Sequence, residues 1–247
     1  MSVLSVVQDA SPKLGITRPT QLIADTGQTS IELQATIAEV AGIIRDKYDW
    51  QSYKALGTIT GDGVAVSFAF PTNYARMLKV ARLWPSTQPN SPLTHYQDSD
   101  AWLGMQVQNF APVVGAWTIY GDRIMINISG VAAPLANLAT VKFFFISNLQ
   151  FKDAGGTPKV TVTADDDQFR LTPETSVGER LLKLGLIYKW KQDKGRPYAQ
   201  DLSDFEDAIS VAIGNDKGSK MIVVGNRRLP RNAEIALPWS VTGNGGP

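Results

Sequence analysis

A chain of 247 residues, 43% hydrophobic and 19% charged, is long enough for a sizeable core and carries less charge than a typical soluble domain, as extensive subunit contacts or a sheet-rich body would require. It has one histidine and no cysteine, which excludes disulfides and thiolate metal sites. The net charge of +1 is unevenly spread: residues 217–247 hold five basic side chains and one acidic, against 19 and 22 in the rest, so a generic nucleic-acid binder with a basic body is not expected.

The opening residues lack a basic stretch followed by a long apolar one, so no secretory signal is expected. No apolar run nears the roughly 20 residues of a membrane-spanning helix. The product is expected to be made in a cytoplasm and to stay soluble until it assembles. Val3, Val6, Val7, Ala10 and Leu14 recur at helical spacing and predict a first helix over 3–14, stopped by Gly15. Thr29 and Glu32 read as a capping box for a second helix, whose stripe is Leu33, Ile37, Val40, Ile44 and Tyr48 and whose end lies near Trp50.

The apolar period then changes from helical to two. Residues 58–60 and 64–70, separated by Gly61-Asp62-Gly63, predict a strand, a turn and a strand. Residues 77–83 predict another strand, 85–94 a proline-rich loop and 102–105 a short helix. Residues 117–120 and 123–128 flank Gly121-Asp122, a two-residue hairpin signal, and 141–147 form a further strand with a mostly apolar face. Residues 151–169 read as a looser polar segment with one strand at 159–163.

Helix returns at Ser176, which with Glu179 reads as a second capping box. Val177, Leu181, Leu184, Ile187 and Trp190 share its face. Gly195 and Pro197 end it, and Tyr198, Leu202, Phe205, Ile209 and Ile213 define a fourth helix, antiparallel to the third. The expected fold is α+β. Residues 1–54 and 174–216 would form a four-helix bundle from N- and C-terminal helix pairs. Residues 55–173 would form an inserted antiparallel β domain, and 217–247 an extended C-terminal tail.

No constellation for catalysis, a cofactor or a metal stands out. His95 is the sole histidine, sits after a proline-rich loop without a nucleophile motif, and reads as an exposed loop residue. Asp165-Asp166-Asp167 lacks the alternating ligand spacing of a calcium loop and reads as solvated. Gly61-Asp62-Gly63 and Gly155-Gly156 lack the lysine and following helix of a phosphate loop, and Asn127-Ile128-Ser129 matches a glycosylation acceptor by chance. Trp50, Trp84, Trp102, Trp117, Trp190 and Trp239 raise sugar or base stacking, but core and interface packing is the ordinary role of tryptophan.

Several segments, taken in order, carry a resemblance. They are Ser5-Val6-Val7-Gln8-Asp9 with Leu14-Gly15-Ile16 and Pro19; Ala41-Gly42-Ile43-Ile44-Arg45-Asp46-Lys47-Tyr48-Asp49-Trp50-Gln51; and Phe70-Pro71-Thr72-Asn73-Tyr74-Ala75-Arg76. The Tyr120-Gly121-Asp122-Arg123-Ile124 hairpin and residues 143–148 follow. Most specific is Leu181-Leu182-Lys183-Leu184-Gly185-Leu186-Ile187-Tyr188-Lys189-Trp190-Lys191, then Lys194-Gly195 and Tyr198-Ala199-Gln200-Asp201. Together they resemble the head-to-tail adaptor (connector, tail tubular A-like) proteins of tailed, short-tailed bacteriophages, over about residues 2–216. Residues 85–114, 149–169 and the final tail match nothing in that pattern.

The resemblance implies a structural virion protein at the head–tail interface, not an enzyme, with no cofactor and no metal. It implies a homo-oligomeric ring, twelvefold to match the portal, which docks under the portal protein and meets a downstream tail or nozzle protein. DNA would pass through the channel without specific contacts, no membrane would be involved, and a mildly acidic body suits a lumen that must not grip phosphates. Heterologous contacts build such rings. For the tail, Met221, Ile222, Val223, Leu229, Ile235, Leu237 and Trp239 are the expected apolar portal anchors, with Arg227, Arg228 and Arg231 pairing acidic portal groups. Alternatives are another phage neck or tail tube protein, or a carbohydrate-binding or cell-wall-degrading tail module with its site on the sheet region.

Overall fold

The computed structural model describes residues 2–108, 112–128, 134–171 and 176–217. All the described residues belong to one compact unit, Met1–Lys217.

The described residues form five α-helices: α1 (Val3–Leu14), α2 (Gln28–Lys47), α3 (Ser99–Val107), α4 (Ser176–Asp193) and α5 (Ala199–Lys217). α1 starts where the Ser2 hydroxyl accepts the Ser5 amide at 3.2 Å, and stops at Gly15, whose φ of 72° is the left-handed conformation that glycine adopts without strain. α2 is capped differently from expectation. Its cap residue is Gly27, and Glu32 instead accepts from Lys194 and Gln28. The Asp25 carboxylate orders the entry, taking the Gly27 amide at 2.9 Å and the Ser30 hydroxyl at 2.6 Å. The cap position of α4 lies outside the described residues.

The helices do not form the expected four-helix bundle of N- and C-terminal pairs. The extensive helix–helix contacts all involve α4, against which α1, α2 and α5 each pack. The physical reason lies in the α4 sequence. Leu181, Leu182, Leu186, Ile187, Tyr188 and Trp190 are all buried, so the helix is apolar around most of its circumference and acts as a buried hub rather than as one wall of a bundle. Strands complete the same core: Ile146, Phe151 and Phe169, with Leu171 just past the strand Gln168–Phe169, join Val7, Leu14, Leu33, Val40, Ile44 and Phe205. The chain is therefore α+β with one mixed helix-and-strand core.

Among the described residues the strands form three sheets, one of them with a parallel pair, instead of one antiparallel block. The first is built on β8 (Thr140–Ser147), with β1 (Lys54–Thr60) along one edge and β3 (Tyr74–Met77) and β4 (Trp84–Pro85) in succession along the other. The second runs β2 (Ser67–Ala69), β7 (Arg123–Asn127), β6 (Ala116–Tyr120), β5 (Thr94–His95), with β5 parallel to β6. The third joins the two-residue strands β10 (Pro158–Lys159), β9 (Phe151–Lys152) and β11 (Gln168–Phe169). A second core fills the space against the first two sheets, with Ile59, Leu83, Trp117, Ile124, Val141 and Phe145 among its members.

The β6–β7 hairpin forms as expected around Gly121, whose φ is 61°. The expected hairpin over 58–70 does not: β1 pairs with β8 and β2 with β7, so the two segments belong to different sheets. The expected strand over 77–83 keeps only Met77, the end of β3, and is otherwise irregular, and that over 159–163 contracts to β10.

Candidate subunit interfaces

The chemistry-bearing residues resolve first as structure. Asp167 is fully buried and accepts hydrogen bonds from Lys159 Nζ at 2.8 Å, the Thr163 amide at 2.7 Å and the Ala164 amide at 3.1 Å. Burial raises its pKa, but these donors more than offset that and hold it below the ordinary 3.8. Asp165 accepts the Leu22 and Ile23 amides at 3.0 and 2.9 Å, and the carbonyl of Asp167 takes the first amide of α1 at 2.7 Å. The run expected to be a solvated loop thus staples α1 and the segment after it to the third sheet.

His95 lies in β5 rather than in a loop. Its imidazole stacks on Trp117 with ring centroids 3.8 Å apart and planes 6° from parallel, and desolvation lowers its pKa from 6.5. Among the described residues it has no side-chain hydrogen bond to orient it as a base, and no group of three or more acids or histidines is placed to hold a metal. Among the described tryptophans, Trp50, Trp102, Trp117 and Trp190 are buried. No described helix is long and apolar enough to cross a membrane.

Among the open surfaces of the described residues, two combine exposed apolar side chains with charge. The first is one face of the β8 sheet at its Thr140–Phe144 end, since Ile146 on the same face is buried in the helical core. Strand alternation sends Val141, Phe143 and Phe145 into the sheet core and Lys142 and Phe144 to the other face. Gly57 stands opposite Phe143, and a Cβ there would come within 2.6 Å of the ring, so this glycine gives Phe143 its space. On the outer face Phe144 sits in register with Leu56, and Lys142 with Thr58 on one side and Trp84 on the other. Leu56, Phe144 and Trp84 are 57%, 52% and 40% exposed. No acidic residue occurs in β1, β3, β4 or β8, whereas Lys54 and Lys142 share this face.

The second surface is an open groove of about 560 Å³ between α4 and α5. Val177, Leu184 and Val211 give it an apolar floor, Asp204 and Asp207 an acidic wall on α5, and Arg180 lies on the α4 side. Val211 is 63% exposed. Neither Asp207 nor Lys142 has an ion-pair partner among the described residues.

The ten tail residues expected to contact a portal, Met221, Ile222, Val223, Arg227, Arg228, Leu229, Arg231, Ile235, Leu237 and Trp239, lie outside the described residues. Both exposed surfaces escaped the sequence reading. The signal for the first was present: in Lys142-Phe143-Phe144-Phe145 an outward position carries phenylalanine where a solvated face would carry a polar residue. The groove had no local signal, because Val211 lies off the apolar stripe of α5 and gains a neighbour only through the pairing with α4. Compared with protein-family models and with curated proteins, the chain matches none.

Proposed function

We propose that this protein is a structural ring subunit, a head-to-tail adaptor that docks on the portal of a tailed phage and connects it to the tail or nozzle around the DNA channel. The observation that carries the reading is the pair of unlike, partly apolar surfaces on one subunit. A ring needs two different faces that meet between neighbours, and an enzyme or monomeric binder needs neither. The ordered resemblance over residues 2–216 supplies the position in the particle. On this reading residues 221–239 grip the portal, and the subunit contacts are made by residues 1–217.

Native mass spectrometry of the purified protein, alone and mixed with the matching portal, tests this. A ring stoichiometric with the portal is the expected result, and a species indifferent to portal at every ratio would refute it. Deleting residues 219–247 is expected to abolish portal binding while leaving the far-ultraviolet circular dichroism of the helices in place. Trp84 and Phe144 on one sheet face favour a second reading, a carbohydrate-binding tail module. Against it, the aliphatic Leu56 stands directly beside Phe144, where a sugar platform would place hydrogen-bonding groups. A glycan screen that returns a ligand displaced by Trp84→Ala would move the conclusion there.

A further inference from the structure

Both open surfaces belong to the same folded unit, and their chemistry is complementary. The β8 sheet face combines projecting apolar side chains with lysines and no acid. The α4–α5 groove combines an apolar floor with Asp204 and Asp207 on its α5 wall and Arg180 on the α4 side. α5 carries Asp201, Asp204, Glu206, Asp207 and Asp216 against a single lysine. Asp201 is held by Lys191 at 2.6 Å, and Glu206 reaches Lys47 only at 4.0 Å. Asp207 is left without a cation, as Lys142 is left without an anion.

Apolar contact would supply the attraction between two such surfaces, and an ammonium group meeting a carboxylate would fix their register and disfavour like-charged pairings. Two unlike complementary patches on one molecule cannot satisfy each other by a two-fold axis through either patch. They propagate head to tail, and close when the rotation between neighbours allows it.

We infer that the β8 sheet face of one copy of this chain docks into the α4–α5 groove of the next, with Phe144 and Leu56 over Val211 and Lys142 paired to Asp207. The occupant of the groove is thus a second copy of the same protein. The inference rests on the ring reading above and adds to it which surfaces meet.

The test uses the full chain and two single reversals, Lys142→Glu and Asp207→Lys, followed by sedimentation velocity across a concentration series. Each reversal alone places like charges across every contact, so self-association should weaken on the order of tenfold or more. An equimolar mixture of the two variants should regain assembly, because each acidic sheet face then meets a basic groove and each basic sheet face an acidic groove. Wild-type assembly that survives both reversals unchanged would overturn the inference and leave the ring reading standing. Failure of the mixture to recover would overturn it too.

A wild-type chain that stays monomeric with and without portal would remove both. A geometric check is simple, because the chain has no cysteine. Leu56→Cys and Val211→Cys chains, mixed and oxidised, should give a disulfide-linked dimer between copies. If Val211→Cys in dilute monomer resists a thiol reagent, the groove is already filled from within the chain, and the inference fails.

Discussion

Gly185 sits at the hub of the helical core, on the buried side of α4 between α2 and α5. A Cβ placed there would collide with Val40 Cγ1 and come within 3.1 Å of Phe205 Cε2. Gly185→Ala therefore sets two effects against each other. Alanine gains about 1 kcal/mol of helix propensity over glycine. Overpacking a well-filled core costs about 1–3 kcal/mol. Val40 is fully buried and β-branched, so its methyl has no free rotamer to turn into, and Phe205 is buried on the other side. With both neighbours fixed, the overpacking cost falls in the upper part of its range, about 2–3 kcal/mol, and should win by about 1–2 kcal/mol. In a chain of 247 residues that corresponds to a fall in Tm of about 3–6 °C. Urea unfolding followed by tryptophan fluorescence gives the free-energy difference. The diagnostic arm is the double variant Gly185→Ala/Val40→Ala, in which the colliding methyl is gone. Its cost should fall below the sum of the single costs by about 1 kcal/mol. A Gly185→Ala chain as stable as the parent, or strictly additive costs, would refute the close packing of α4 on α2.

Asp167→Asn turns an amide NH₂ toward either Lys159 or the Thr163 and Ala164 amides, leaving a buried donor unpaired, and should cost about 1–3 kcal/mol at neutral pH by urea titration. Asp167 and Asp49 both have depressed pKa values, burial being outweighed in each by its hydrogen-bond donors, so their stabilisation is full above 3.8 and is lost as pH falls through the lower folded values. Wild-type stability should therefore be flat with respect to these groups above pH 5 and fall below 3.8, and Asp167→Asn should show a shallower acid limb; an unchanged slope would contradict the assignment. Arg76→Ala should cost about 3 kcal/mol, because it removes the 2.5 Å pair with Asp49 and the bond to the Tyr48 carbonyl beyond the end of α2, while Asp49 stays partly buried. A loss under about 0.5 kcal/mol would mean that the pair behaves as a surface bridge.

What could be read from the sequence was what depends on neighbours in the chain. α1, its glycine stop, the β6–β7 hairpin and β8 all follow from local period and turn chemistry. The readings that missed depend on partners far away. Gly61 looks like a hairpin turn, but its amide donates to the Ala139 carbonyl at 2.8 Å, and its carbonyl accepts from Leu138 at 3.0 Å. The chain there continues the β1–β8 pairing instead of reversing. Thr29 and Glu32 fit a capping box, but Lys194 claims the Glu32 carboxylate from the far end of α4. Asp165 and Asp167 look solvated until the fold supplies their donors, the Leu22 and Ile23 amides for Asp165 and Lys159, Thr163 and Ala164 in the loop that closes on Asp167. The four-helix arrangement failed for the same reason. Periodicity shows that a helix has an apolar face, but not which helix is buried on most sides.

In the proposed ring, the junction between the layers of each subunit would matter as much as its surfaces. If a sheet face meets a helical groove in the next copy, the angle between those two surfaces sets the number of subunits at which the ring closes. β8 fixes that angle by belonging to both cores: Phe145 packs in the sheet core and Ile146, the next residue, in the helical core. Arg76 adds a polar tie from β3 to the residues that end α2, through the Arg45 and Tyr48 carbonyls and Asp49. Two successive side chains of one strand anchored in opposite cores leave little freedom for a hinge, since packed interiors resist continuous deformation. Ring size in such a protein is then a property of the β8 junction, and substitutions there should alter closure while both contact surfaces stay intact.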